Sequence, residues 1–135
     1  MPADALNALQ IALCSNQRQL ANLDLIEQAE TLLRDAYSRL LEANVDSVLR
    51  QLDIRTEHVA SVRAGNDLIA IVESEQSLCG LQHLADAALT RHTRHAEASR
   101  QAIAEYQTAR QAILKRIEAI RVAIDGYQRA CRPGQ

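Results

Sequence analysis

The sequence predicts an all-α fold: an antiparallel helical bundle with long coiled-coil-like helices, in a single domain spanning residues 1–135. Three observations carry this. The two prolines stand at positions 2 and 133, so residues 3 to 132 are free of the strongest helix breaker. The apolar load is Leu, Ile, Val and Ala, with no Phe, no Trp and three Tyr, an inventory that suits narrow seams between helices better than a broad sandwich or barrel. From Gln82 onward a heptad runs unbroken, with Leu89, Ala96, Ile103, Arg110, Ile117 and Ile124 at a. Ala85, His92, Ser99, Tyr106, Ile113, Ile120 and Tyr127 occupy d.

In the first half, Leu20, Leu23, Ile26, Ala29, Leu33, Ala36, Tyr37, Leu40 and Leu41 keep a helical period. The phase slips at "EANVDS", where Asn44 and Asp46 are good turn or N-cap residues, and Val45, Val48, Leu52, Val59 and Val62 then resume a stripe. A tight turn between two helices and one helix with a local irregularity both satisfy this pattern; the turn is the expectation. "RAGND" is a clearer break, because Gly65 suits the C′ position of one helix and Asn66 or Asp67 can cap the next. "NDLIAIVESEQSLCG" then reads as a short helix closing near Gly80. The segment from 82 to 127 would be a helix of ~70 Å. Alanines at g (Ala102, Ala109 and Ala123) and Leu114 at e widen its stripe beyond a two-stranded seam. A long C-terminal helix packed against the first half, joined by a shorter piece, is the expected arrangement.

Charge and cysteine usage narrow the function classes. The net charge of −2 steers the chain towards neither nucleic acid nor anionic lipid. Between Arg63 and Arg91 every charge is acidic, whereas residues 91 to 132 carry nine Lys or Arg against Glu97, Glu105, Glu118 and Asp125. Cys14, Cys79 and Cys131 are odd in number and far apart, which fits neither a disulfide framework nor a CxxC pair and points to a reduced cytoplasmic setting. The opening "MPADALNALQIALC" lacks a basic n-region, and Leu13 stands where a small residue should precede a lipoprotein cysteine. No apolar run reaches the ~18 residues of a membrane span.

The basic repeat "TRHTRH", residues 90 to 95, raises the question of chemistry. In the heptad His92 falls at d and His95 at g, while Arg91 and Arg94 face water, so the repeat is divided between two faces. A His pair at i and i+3 can approach one metal ion, but no His has a Glu three residues before it and HExxH is absent, so no metal or other cofactor is expected. A nucleic-acid interface would draw on Arg91, Arg94, Arg100, Arg110, Lys115, Arg116, Arg121, Arg129 and Arg132. These are spread around the helix, interleaved with acids and without aromatic platforms, which argues against it. The serines and cysteines lack an adjacent base and there is no glycine-rich phosphate loop, so an enzyme is not expected. Arg110 at an a position needs either a carboxylate in a closed seam or an acidic partner at an open groove.

Residues 40 to 62, "LLEANVDSVLRQLDIRTEHVASV", combine a helix ending in two leucines, a short Asn and Asp turn, and a helix with Leu or Val every third or fourth residue around an Arg. This pattern resembles the flagellar type III export chaperones of the FlgN and FliT kind. The resemblance implies a small cytosolic helical protein that binds, without catalysis, an amphipathic helix of an export substrate in a helical groove. It places partner contacts on the C-terminal stripe, at Ile103, Tyr106, Ile113, Leu114, Ile117, Ile120 and Ile124, to which Arg110 is added by its a position. For any one of these residues intramolecular core is favoured over the groove. Two other functions stay open. One is a self-assembling structural coiled-coil protein of a secretion apparatus or virion, suggested by Ile at both a and d from 113 to 124 and implying a homo-oligomer. The other is a metal- or ligand-binding bundle using His92 and His95.

Overall fold

The computed structural model describes residues 2–131. Two long helices, α1 (Pro2–Ala64) and α2 (Leu68–Ala130), pack on each other as an antiparallel hairpin, and no strand occurs among the described residues. The helical class matches the sequence; the number of helices is smaller than expected. Pro133, which closes the proline-free run, lies with Arg132 and Gly134 outside the described residues.

The expected turn at residues 44 to 46 is absent, and α1 passes through it. Asn44 and Asp46 both face solvent, where their weak helix propensity costs only a few tenths of a kcal/mol, while Val45 and Val48 hold the inner side. The same holds for the expected stop at Gly80. It is exposed, and Leu78 and Leu81 turn inward on either side of it, so the short connecting helix and the C-terminal helix are one element.

The break at "RAGND" is the hairpin turn, made by Gly65, Asn66 and Asp67. Gly65 N–H donates to the Val62 carbonyl (3.0 Å) and Asn66 N–H to that of Arg63 (3.4 Å), tightening the end of α1 into i to i−3 bonds. The left-handed residue is Asn66, with φ 59°, and not Gly65 as the C′ assignment had it. Asn is the side chain that tolerates this region best after Gly. Asp67 caps α2, its Oδ1 accepting from Ile69 N–H at 3.1 Å and Ala70 N–H at 3.3 Å.

The chain divides into two compact units, each built from a stretch of both helices. In the unit of Met1–Leu32 and Gln101–Gln135, Ile113 and Ile117 are buried, and Leu9, Leu13, Leu20 and Leu23 turn inward from α1. In the unit of Leu33–Arg100 the buried residues are Leu41, Val59, Ala85 and Ala88, with the Ser74 hydroxyl donating to the Ile71 carbonyl at 2.9 Å. Alanines so completely covered require close approach of the facing helix. Among the described residues no large side chain is fully buried, so both cores are thin. Among the described residues no helix is long and apolar enough to cross a membrane.

Candidate functional site

The C-terminal stripe does not form one open face. Ile113 and Ile117 are buried in the hairpin, Tyr106, Arg110, Ile120 and Ile124 are half-buried, and Ile103 and Leu114 are 43% and 39% exposed. The heptad register is the reason. Between residues 81 and 109 the inward residues of α2 are chiefly at d and g, namely Leu81, Ala85, Ala88, His92, His95, Ser99, Ala102, Tyr106 and Ala109, with Ala96 at a; from Arg110 on they are chiefly at a and d, with Ala123 at g. The inward set thus follows the period of about 3.6 residues of the α-helix, drifting by about 20° per heptad from a 3.5-residue repeat. Leu89 and Ile103, assigned to a, rotate outward as a consequence.

Arg110 sits in the first unit with two carboxylates from α1. Its Nε and Nη2 donate to Asp24 Oδ1 at 3.1 and 2.7 Å, and Nη2 also donates to Glu27 Oε2. The Asp24 hydrogen bonds, then those of Glu27, hold the guanidinium pKa above its ordinary value. The seam arginine therefore has its carboxylates within the chain. Beside it lies an open pocket of about 550 Å³ lined by Asp24, Glu27, Gln28, Thr31, Leu32 and Arg110.

The histidine pair belongs to the second unit and serves packing. His95 Nε2 is 3.2 Å from the Arg34 carbonyl, and its ring meets Tyr37 edge-on at 4.8 Å between centroids. His92 Nε2 lies 3.7 Å from Glu42 Oε1, while Arg91 and Arg94 face solvent. Among the described residues no three His, Cys, Asp or Glu side chains are placed to hold a metal ion. In the basic third, Arg116 reaches Asn16 and Gln19, and Arg129 pairs with Asp125.

The surface that the sequence pattern concealed is on α1. The stripe from Leu20 to Leu41 is two stripes: Leu20, Leu23 and Leu41 turn inward, whereas Ile26, Ala29, Leu33, Ala36 and Leu40 are exposed. In the first unit Leu25 and Leu32 are 65% and 72% exposed; in the second, Leu33 and Leu40 are 71% and 64% exposed. At the same helical phase stand Asn22, Ala43, Asn44 and Ser47, so the row of Ile26, Ala29, Leu33, Ala36 and Leu40 carries no acid or base from residue 22 to 47, while the adjoining row of Leu25 and Leu32 continues into Arg39 and Asp46. The legible signal was that absence of charge. On α2 the outward positions between 86 and 115 include Asp86, Thr90, Arg94, Glu97, Gln101, Glu105, Thr108 and Lys115, a solvated face, with exposed Leu68, Ile69, Val72 and Val122 towards the helix ends.

No protein-family model matches this chain, and neither a curated protein nor a solved structure is significantly similar to it.

Proposed function

We propose that this protein is a non-enzymatic helical chaperone or adaptor that holds an amphipathic helix of a partner protein against the outward face of α1. The observation that carries the proposal is the charge-free run of exposed Leu, Ile and Ala on a helix whose opposite side already packs on α2. Exposed apolar residues scattered singly need no explanation, but a row at i, i+3, i+4 and i+7 is the pattern that receives a second helix. The contact site moves accordingly from the C-terminal stripe, whose central isoleucines are committed to the hairpin, to α1. A client of the type III or flagellar export class, met in the cytoplasm, is the proposed partner; the likeness of residues 40 to 62 to the export chaperones supports it through its Leu and Val spacing alone, because the turn it included is continuous helix in α1.

Affinity capture from the native lysate tests this with three full-length tagged proteins: wild type, Leu33→Glu and Thr90→Glu, the last an outward change on α2. One dominant partner, held by wild type and Thr90→Glu and lost with Leu33→Glu, is the expected result. Equal capture by all three would remove α1 as the binding face.

A further inference from the structure

The outward face of α1 alternates large and small residues at the 3-4 spacing of a coiled-coil seam: Ile26, Leu33 and Leu40 interleave with Ala29, Ala36 and Ala43. Such a row is complementary to itself when reversed. In an antiparallel pair Ile26 lies against the second copy's Ala43, Leu33 against its Ala36 and Leu40 against its Ala29, and a single register serves all three. Every layer then holds one large and one small side chain. Parallel pairing would stack leucine on leucine and alanine on alanine, giving alternating crowded and hollow layers. The antiparallel register also brings Arg39 beside Leu32 and Asp46 beside Leu25, so these flanking charges meet no charge of their own sign.

The uncovered area points the same way. Ile26, Leu33 and Leu40, the large members of the row, are 51%, 71% and 64% exposed. A hairpin with no fully buried large side chain among its described residues gains its missing core from such a contact.

We propose that the outward face of α1 packs against the same face of a second copy, antiparallel and two-fold symmetric, with the dyad between Leu33 and Ala36. This rests on the face being helix-binding: the second copy is the helix that fills it when no client is present. The charged outward face of α2 stays in water.

The test is sedimentation of the full chain together with cysteine pairing. Cys14, Cys79 and Cys131 are all exposed and can be changed to serine first. Wild type should sediment at twice the 14.9 kDa chain mass, and Leu33→Glu, with unchanged helix content, at the single-chain mass. Under mild oxidation, Ile26→Cys mixed with Ala43→Cys should give disulfide-linked pairs, and neither alone should. A single-chain mass for wild type at micromolar concentration overturns the proposal, as does a dimer that Leu33→Glu leaves intact or that links through Ile26→Cys alone. A synthetic amphipathic helix with leucine and alanine at a and d separates the two ideas. If wild type is monomeric yet binds this peptide and Leu33→Glu does not, the second copy is wrong and the helix-binding face stands; if wild type is monomeric and binds nothing, both fall.

Discussion

α1 and α2 have the same length, 63 residues, and share one hairpin, yet their outward faces differ in kind. That of α2 carries Asp86, Arg94, Glu97, Glu105 and Lys115, as expected for a helix with water on its far side. That of α1 carries Ile26, Leu33 and Leu40 in a row without charge from residue 22 to 47, beside a row in which Leu25 and Leu32 are followed by Arg39 and Asp46. A helix that is apolar on two opposite sides is an interior helix, and a two-helix hairpin offers it only one neighbour. On our proposal the difference between the faces reflects a second neighbour for α1 and water for α2.

The comparison can be broken or sharpened by substitution, beginning with the largest effect. Ile117→Asp places a carboxylate in the buried seam of the first unit and should cost about 3–5 kcal/mol, read as collapse of the thermal transition by circular dichroism. Leu33→Glu should leave helix content and the hairpin intact while removing association, read as a drop in sedimentation mass; a loss of helicity instead would mean that this side chain is part of the hairpin core. Asp67→Ala removes the cap accepting from Ile69 and Ala70, and chemical denaturation should show a loss of about 1 kcal/mol without change of mass. Gly80→Ala adds a methyl group that meets nothing within 4 Å and should stabilise α2 by about 0.5–1 kcal/mol, confirming that the helix runs uninterrupted through this site. Thr90→Glu, on the outward face of α2, should change stability by less than about 0.5 kcal/mol and leave mass unaltered.

The helical class was legible because composition and the absence of proline excluded most alternatives, and the turn at residues 65 to 67 was legible because Gly, Asn and Asp stand together there. Two other breaks expected on the same grounds, near Asn44 and at Gly80, do not exist. Local propensity at those sites is worth tenths of a kcal/mol to about 1 kcal/mol, and the flanking inward residues Val45, Val48, Leu78 and Leu81 outweigh it. Within the turn, the left-handed position fell to Asn66, since a C′ assignment one residue away is beyond what residue type alone resolves. The interior of α2 was legible as a stripe but not in its phase, because a 3.5-residue register written over many turns drifts from the 3.6-residue helix that forms. Ile113 and Ile117 therefore belong to the seam, while Ile103 and Leu89 leave it. The outward face of α1 was hidden for a related reason. Leu20, Leu23 and Leu41 on one side and Ile26, Leu33 and Leu40 on the other merge into one periodic list, and only burial separates them.

Hydroxyl-radical footprinting of leucine side chains in the wild-type protein tests the central claim most directly, because Leu84 on α2 supplies an internal reference. Leu33, Leu40 and Leu84 are 71%, 64% and 57% exposed in the single chain, so an uncovered α1 would be oxidised at least as fast as Leu84. Covering of α1 predicts several-fold protection of Leu33 and Leu40 relative to Leu84, lost in Leu40 when Leu33 is changed to Glu. Equal labelling of all three leucines at high protein concentration would contradict it.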